Sequence, residues 1–181
     1  MNEDSDGTLV QRCRDGDRNA FGTLVDRYQK PVYNAALRML RNPEDARDVA
    51  QTVFLKVYEH LGDYDPTHKF YSWIYRIALN ESINVLDRRR RLEPISGDEI
   101  DERLGAEDEV ASEQSAQRVQ RALMTIKPEY RAVIVLKHFL ELSYEDVGQV
   151  LQLPEKTVKS RLFTARQLLK DALQASGSLR P

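Results

Sequence analysis

Two stretches of the chain carry side chains suited to binding nucleic acid without covalent chemistry. Residues 70–91 combine aromatic rings with Arg76, Asn80 and Asn84 and end in four successive arginines. Residues 142–173 place cations, hydroxyls and an aromatic ring on the side of a helix that lies away from its apolar stripe. This second set comprises Thr157, Lys159, Ser160, Phe163, Thr164 and Arg166. Such groups stack on unpaired bases, hydrogen-bond base edges and neutralise phosphates.

The spacing in the second stretch predicts two helices joined by a tight turn. Ser143 is a good N-cap, and Pro154 interrupts the apolar period, because proline ends one helix and suits the first turn of the next. Val158 and Leu162 then resume a helical stripe. A basic second helix in a helix-turn-helix fits the major groove of DNA. For this stretch alone, an ordinary helical hairpin with a solvated basic face is the alternative.

The aromatic stretch predicts a long helix that is packed on two sides. Phe70 and Trp73 belong to one apolar face, while Tyr75 and Leu79 belong to another. Arginines in a last turn favour the helix dipole, which accounts for part of the run at 88–91. The helix dipole does not require four arginines in a row beside aromatic residues. Aromatic rings that stack on unpaired bases, with cations beside them for the phosphates, favour single-stranded DNA as a ligand.

Charge is segregated along the 181 residues, although the net charge is only −2. The stretch at 92–112 holds eight acids and one arginine, and this composition predicts a flexible acidic linker. When extended, it would span on the order of 70 Å, about two turns of B-DNA. The predicted fold class is all-α, with two small helical domains at 8–91 and 113–175 on either side of the linker.

A third candidate face precedes the aromatic stretch. An asparagine–proline pair at 42–43 predicts the start of an amphipathic helix. Its outward residues are Asp45, Asp48, Gln51, Thr52 and Leu55. An amphipathic helix usually buries its apolar stripe in the protein's own core, so its polar side alone does not indicate a partner. The apolar Leu55 among these polar residues is the local indication of one. Elsewhere, Pro31 is expected to end or kink a helix, and 1–6 and 175–181 are expected to be tails.

Several classes of function are disfavoured by the residues present. Cys13 is the only cysteine, so an intramolecular disulfide is impossible, which fits a reducing cytoplasm. His60, His68 and His138 lie near no cysteine and lack the spacing of zinc ligands. The sequence has no glycine-rich phosphate loop and no nucleophile motif, so neither an enzyme nor a cofactor is expected. No apolar run approaches the length of a membrane span.

The order of these motifs resembles that of a known family. Three segments carry the resemblance, with the acidic linker between the last two: DARDVAQTVFLKVYEHL, FYSWIYRIALNESINVLDRRRR and LSYEDVGQVLQLPEKTVKSRLFTAR. Over about 8–173 the chain resembles bacterial sigma factors of the sigma-70 family, in the extracytoplasmic-function group that keeps only sigma domains 2 and 4. The resemblance implies a transcription initiation factor that binds core RNA polymerase and directs it to promoters.

The resemblance also implies roles for the first two faces. The side that includes Asp48, Gln51 and Leu55 would dock on the clamp of the largest polymerase subunit, although Thr52 stands where an acid is common. The residues that would open the −10 element and hold a flipped base are Tyr64, Phe70, Trp73 and Asn80. Those that would lie along the adjoining strand are Arg76, Asn84 and the arginines from Arg88 to Arg91.

The helix-turn-helix would recognise the −35 element through the set from Thr157 to Arg166, although Thr164 stands where arginine is common. The acidic linker is similar to a segment that lies in the RNA path of the polymerase. The partners implied are core polymerase, through its clamp and the flap of its second subunit, promoter DNA and an anti-sigma factor. The implied location is the bacterial cytoplasm without membrane insertion, although an anti-sigma factor would be able to hold the protein at the membrane.

Two other functions stay open on the sequence. A conventional helix-turn-helix regulator would bind duplex DNA without polymerase, and its N-terminal helices would bind a ligand or dimerise. A helical adaptor would bind no DNA, and its basic faces would be incidental. The aromatic stretch that ends in arginines, followed by a long acidic linker, argues against both.

Overall fold

The computed structural model describes residues 4–92 and 111–177, and its regular structure is helical. The helices are α1 (Asp6–Arg14), α2 (Arg18–Leu40), α3 (Pro43–Glu59), α4 (Phe70–Leu92), α5 (Ala111–Met124), α6 (Pro128–Ile134), α7 (Tyr144–Leu151) and α8 (Glu155–Gly177). A 3-10 turn, Leu61–Asp63, precedes α4, and a π-helical turn, Val135–Phe139, continues α6. The described ranges contain no strand, and the predicted all-α class is confirmed.

Local signals account for where several helices begin. The side chain of Asn42 accepts hydrogen bonds from the backbone N–H groups of Glu44 and Asp45 at 2.9 and 3.0 Å, and Pro43 occupies the first turn of α3. These bonds satisfy donors that have no partner inside the helix. The carboxylate of Asp17 caps α2 in the same way. The predicted start of α3 is therefore confirmed.

The N-terminal half packs α2 against α3 and α4 around an apolar core. Val32 of α2 and Val53 of α3 have no exposed surface. α4 buries Ile74, Tyr75 and Leu79, which together represent both of its predicted apolar faces. Each such side chain contributes about 1.5–3 kcal/mol to the stability of the fold, so this core holds α4 rigidly against the other two helices.

The proline inside α2 does not end that helix. α2 runs through Pro31 without interruption. Proline removes one backbone hydrogen bond, but Tyr28 before it and Val32 after it are both buried in the core. Packing on both sides therefore outweighs the lost bond, so of the two expected effects of Pro31, an end or a kink, the end of the helix does not occur.

Of the tail expected at 1–6, residues 4–6 are anchored and are not mobile, and residues 1–3 lie outside the described residues. The Ser5 side chain caps α1. The carboxylate of Asp6 accepts hydrogen bonds from Tyr28 Oη and from the Arg27 guanidinium, each at 2.5 Å. These bonds join the start of α1 to the middle of α2.

The C-terminal half packs α8 against α5, α6 and α7. Leu123, Leu136 and Leu162 are buried in its core. α7 and α8 form the predicted helix-turn-helix, and Gln152 joins them in a left-handed conformation, with φ 55° and ψ 45°.

The helix bounds differ slightly from the predicted limits of the domains. The predicted linker begins at Leu92, which is the last residue of α4, and the residues at its other end belong to α5. α8 extends to Gly177 and so includes part of the expected tail. The remaining linker residues, 93–110, lie outside the described residues.

The two halves contact each other at the end of α2 and along α4. Arg38 and Gln120 exchange hydrogen bonds of 2.9 and 3.1 Å, and the buried guanidinium of Arg131 donates to a backbone carbonyl of α2. Near the start of α4, Lys69 pairs with Asp146 of α7 at 2.9 Å. These contacts hold the halves in one defined arrangement.

Candidate nucleic-acid interface

The turn of the helix-turn-helix is built around a glycine. The backbone carbonyl of Gly148, in α7, accepts a hydrogen bond from the N–H of Leu153 at 2.9 Å. A Cβ atom at Gly148 would lie 2.7 Å from the carbonyl oxygen of Leu153, which is closer than real Cβ atoms approach. The chain therefore turns this tightly, and sets α8 against α7, because residue 148 has no side chain.

Gly148→Ala is expected to lower the free energy of unfolding by about 1–3 kcal/mol, as overpacking does elsewhere. Urea unfolding followed by circular dichroism measures the loss. Gly22→Ala is the matched control, because that position in α2 is open and alanine there should stabilise the helix by about 0.5–1 kcal/mol. Wild-type stability of Gly148→Ala would contradict the tight turn.

α8 buries one side and presents the other to solvent. Val158 and Leu162 lie in the core, whereas Phe163 is 66% exposed. The side chains predicted to bind the −35 element lie together on the outward side: Lys159, Ser160, Phe163, Thr164 and Arg166 are exposed, and Thr157 is half-buried. An exposed ring among cations and hydroxyls can contact a thymine methyl group while its neighbours bind base edges and phosphates.

Two cations of this outward side are positioned by neighbouring side chains. Lys159 Nζ pairs with Glu155 at 2.5 Å and lies 5.4 Å from the centre of the Tyr144 ring. Arg166 Nε donates to His138 Nε2 at 3.2 Å. Burial, and then the charge of Arg166, lowers the pKa of His138, so the ring is neutral at pH 7 and accepts this hydrogen bond. Both cations are thus oriented before any ligand binds.

The aromatic residues near the start of α4 form a packed cluster. Tyr64 and Phe70 are buried, with their ring centres 5.6 Å apart, and the half-buried Trp73 lies 5.4 Å from Tyr64. Tyr64 Oη donates to the backbone carbonyl of His68. Of these three aromatic residues, Trp73 alone has substantial exposed surface to offer a base. Tyr64 and Phe70 instead support the loop and the indole ring.

Sequence reasoning missed Arg14, which fixes the loop before α4. Its guanidinium donates to the backbone carbonyl oxygens of Leu61, Gly62 and Tyr64 at 3.0, 3.1 and 2.6 Å. The arginine and Tyr64 are 50 residues apart in the sequence, so no local pattern indicates the contact. Arg14 therefore positions the aromatic cluster from α1.

A strip of polar side chains continues along α4. Asn80, Asn84, Arg88 and Arg91 are exposed. The side chain of Asn80 forms no hydrogen bond with any other part of the described chain. Arg76 differs, because it is half-buried and donates to the backbone carbonyl of α7 residue 149 at 3.0 Å. The strip is therefore open from Asn80 onward and covered at Arg76.

The outward side of α3 is exposed at three of the five predicted positions. Asp48, Gln51 and Leu55 are exposed, whereas Asp45 and Thr52 are half-buried. The carboxylate of Asp45 forms an ion pair with Arg89, one of the four arginines that end α4. The arginine run therefore has a structural role at Arg89.

A groove of about 1000 Å³ lies between α2 and α3, and Gln51 of the outward side of α3 is part of its lining. Its apolar lining includes Phe21, Val25, Tyr33, Phe54, Leu55 and Tyr58, and its cations are Arg18, Lys30 and Arg47. Leu55 and Tyr58 are 64% and 57% exposed. An apolar floor with a basic rim fits an amphipathic helix that carries acids. Sequence reasoning found Leu55 but missed the contribution of α2.

The described helices include none that is long and apolar enough to cross a membrane. Within the same residues, no three His, Cys, Asp or Glu side chains are grouped as metal ligands. The described surface has three candidate binding faces, which lie on α3, α4 and α8.

Comparison with known proteins gives the family. The Sigma-70 region 2 family matches residues 24–92, and the Sigma-70 region 4 family matches residues 116–169. The chain is 35% identical to the RNA polymerase sigma-H factor of Pseudomonas aeruginosa, over 96% of each protein. It is 33% identical to the ECF RNA polymerase sigma factor SigW of Bacillus subtilis, over 91% of this chain and 95% of that protein.

Among solved structures, CnrH in complex with the cytosolic domain of CnrY has the same fold. The TM-score is 0.74 at 28% sequence identity, and the match covers 95% of this chain and 99% of CnrH. Sigma factor RpoE of Bartonella quintana, in complex with the anti-sigma factor NepR, shares the fold at a TM-score of 0.66 and 20% identity, over 85% of this chain and 96% of RpoE. The chain therefore belongs to the sigma-70 family of RNA polymerase sigma factors, in the extracytoplasmic-function (ECF) group.

Proposed function

We propose that this sigma factor binds core RNA polymerase and directs it to promoters through three separate faces. The outward side of α8 recognises the −35 element, the strip on α4 opens and holds the −10 element, and α3 docks on the polymerase. The observation that carries this assignment is the exposed, oriented set of side chains on α8, in a chain that belongs to the sigma-70 family.

Recognition of the −35 element is assigned to the second helix of the helix-turn-helix. Such a helix enters the major groove with its N-terminal residues next to the base edges. Lys159 and Ser160 lie in the second turn of α8, whereas Arg166 lies about two turns further on. We therefore assign base recognition to Lys159 and Ser160, van der Waals contact to Phe163, and phosphate binding to Arg166.

Opening of the −10 element is assigned to Trp73, Asn80 and the strip beyond them. The indole ring can stack on an unpaired base, and the free carboxamide of Asn80 can hydrogen-bond a flipped one. Asn84, Arg88 and Arg91 then follow the strand. Unstacking costs a few kcal/mol per step, so we expect opening only when polymerase holds both DNA-binding halves on the same promoter.

Polymerase docking is assigned to α3 and the adjoining groove. Asp48 and Gln51 supply polar contacts at the edge, and Leu55 with Tyr58 supplies exposed apolar surface. A groove of this kind also suits an amphipathic segment of an anti-sigma factor, which would compete with polymerase for it. We therefore propose an anti-sigma partner at the same surface and the cytoplasm as the place of action.

Asp48→Arg is expected to leave the fold intact and to weaken binding to core polymerase by at least tenfold, about 1.4 kcal/mol. The side chain is exposed, so charge reversal changes the docking face but not the core. Affinity is measured by titrating labelled protein with core polymerase.

Asp26→Arg is the matched control for this experiment. Asp26 is exposed on α2, it lies outside the groove lining, and its substitution makes the same change in charge. If Asp48→Arg and Asp26→Arg bind core polymerase equally, α3 is not the docking face.

Run-off transcription with core polymerase and a library of promoters tests the function as a whole. Transcripts that depend on the protein and on promoters with shared −35 and −10 sequences are the expected result. Specific binding to duplex DNA, without any polymerase-dependent transcript, would instead indicate a stand-alone helix-turn-helix regulator.

A further inference from the structure

The helix that precedes the helix-turn-helix ends in an irregular turn next to α8. α6 continues as the π-helical turn Val135–Phe139, in which the N–H of Leu140 donates to the carbonyl of Val135 at 3.1 Å. Val135 is buried, whereas His138 is exposed and contacts Arg166 of α8. Single π turns are rare in helices and occur frequently at functional sites.

The contact between His138 and Arg166 leaves most of the guanidinium available to a ligand. Arg166 Nε donates to His138 Nε2 at 3.2 Å. The two Nη atoms of Arg166 form no hydrogen bond or ion pair with the other described residues. A guanidinium binds a phosphate through several donors at once. Arg166 therefore has donors to offer to such an anion.

The charged groups that face His138 within the described chain are cations. A cavity of about 500 Å³ lies between α5, α6 and α8, and Arg118, Arg166 and Lys170 line it together with His138 and apolar side chains. None of its described lining residues is an acid. Lys137, on the same turn as His138, adds a further positive charge. Cations that converge without an acid to neutralise them attract anions.

The backbone of the DNA that α8 binds supplies an anion at this place. Lys159, Phe163, Arg166 and Lys170 follow one another at intervals of four, three and four residues, so they share one side of α8. The first two are assigned above to the bases, and the last two lie further along the helix, where the sugar–phosphate backbone passes. A phosphate bound to Arg166 also lies close to His138, because Arg166 Nε and His138 Nε2 are 3.2 Å apart.

We propose that His138 and Arg166 together form a phosphate site for the backbone of the −35 element, in which His138 takes up a proton from solvent as the phosphate binds. The proposal rests on the function assigned above to α8. Neutral His138 accepts a hydrogen bond from Arg166, whereas protonated His138 donates one to a phosphate oxygen. The phosphate then accepts from both cations, and no covalent bond forms or breaks.

Proton uptake gives the affinity for DNA a defined dependence on pH. In the free protein, burial and then the charge of Arg166 hold the pKa of His138 below its usual value. A bound phosphate is an anion within hydrogen-bond reach, so it raises that pKa. The gain in affinity is therefore complete below the pKa of the free protein and is lost as pH rises through the pKa of the bound form. Uptake of one proton changes the affinity by at most about tenfold per pH unit.

Two substitutions of His138 separate its charge from its hydrogen bond with Arg166. In His138→Gln, the side-chain oxygen still accepts from Arg166, but the residue carries no charge at any pH. In His138→Lys, the residue is charged throughout. The affinity of the holoenzyme for a promoter with the −35 sequence selected in run-off transcription is measured between about pH 6 and about pH 8, the range in which histidine titrates.

Each affinity is divided by that of His138→Gln, which removes the titration of the polymerase and of the DNA. We expect this ratio to fall about tenfold for wild type as the pH rises, and to stay high for His138→Lys. His60→Gln is the matched control, because it removes an exposed histidine of the N-terminal half, and it should keep the wild-type response. A constant ratio for wild type, or loss of the response in His60→Gln, would overturn proton uptake by His138.

Neutral phosphate analogues then test the identity of the ligand. Methylphosphonates are placed one at a time along the −35 element, and we expect the pH response of wild type to disappear at one position, because no anion remains there to raise the pKa. Wild-type binding should also depend on salt more steeply, by about one ion, at the acidic end of the range. A role of His138 in folding alone changes neither result. If the response survives at every neutral phosphate, the site does not bind the DNA backbone and the proposal is overturned.

Comparison with the α8 variants distinguishes failure of this inference from failure of the proposed function. If wild type and His138→Gln respond identically to pH while Lys159→Ala relaxes the −35 preference, the phosphate site is overturned and the function of α8 stands. If Lys159→Ala and Arg166→Ala also leave binding unchanged, the proposed function of α8 is itself overturned.

Discussion

Lys159→Ala is expected to relax the preference of the holoenzyme for its −35 sequence by about 5- to 150-fold, or 1–3 kcal/mol. Lys159 is exposed in the second turn of α8, near the end of the helix that enters the groove. Its ion pair with Glu155 lies on the surface and is screened by salt, so it contributes little to the stability of the fold. Lys159 can therefore leave Glu155 and bind a base edge at little cost. The variant should therefore fold normally and lose discrimination.

Arg166→Ala is expected to have a different effect, which makes the pair of variants informative. Arg166 lies about two turns beyond Lys159, where a helix in the groove meets the DNA backbone. Loss of a phosphate contact weakens binding to all sequences alike and reduces the salt dependence by about one ion. We expect lower affinity with unchanged preference.

Both effects are measured by holoenzyme binding to promoters randomised in the −35 element, at two salt concentrations. Arg161→Ala is the matched control, because that cation is on the same helix but on the side opposite Lys159. If neither Lys159→Ala nor Arg166→Ala differs from the control, α8 does not recognise the −35 element.

Local sequence patterns predicted the parts of the molecule that depend on local physics. The cap formed by Asn42, the turn before Pro154 and the apolar stripe through Val158 and Leu162 are each specified by residues within a few turns of one another. Helix starts and the solvent side of α8 follow from such signals directly. This is why the helix-turn-helix and its outward face agree with the structure.

Side chains that can serve either a core or a surface were predicted less well. An aromatic ring can stack on a base at the surface or pack against other rings in the core, and the spacing of residues does not distinguish the two. The structure buries Tyr64 and Phe70 and leaves Trp73 half-exposed, because α2 supplies Tyr28 as a further ring, 5.4 Å from Phe70. That choice depends on tertiary packing and not on the spacing within α4.

Contacts between distant residues were not predictable from any window of the sequence. Arg14 and its loop are about fifty residues apart, and Lys69 is 77 residues from Asp146. Arg131 is buried and donates hydrogen bonds to the backbone carbonyl oxygens of Leu123 and Ile126, and burial lowers its pKa to about 10. Polar side chains therefore need the fold before their roles are known.

Asn80→Ala is expected to spare binding of the closed promoter and to reduce strand opening by about 5- to 150-fold, or 1–3 kcal/mol. The carboxamide is exposed and has no partner within the described chain, so its removal leaves the protein itself unchanged. A flipped base that it binds in the open complex would lose a hydrogen bond and be left partly unsatisfied. Permanganate footprinting of the −10 region at limiting protein concentration measures the fraction opened.

Asn34→Ala separates this effect from the general consequence of replacing an asparagine in a helix. Asn34 is exposed on α2, far from the α4 strip in sequence, and alanine raises helix propensity equally at both positions. Any change in opening that is specific to Asn80 must then come from a contact with DNA. If the Asn80→Ala and Asn34→Ala holoenzymes open promoters equally, the flipped base is bound elsewhere, and Trp73 becomes the residue of α4 to test.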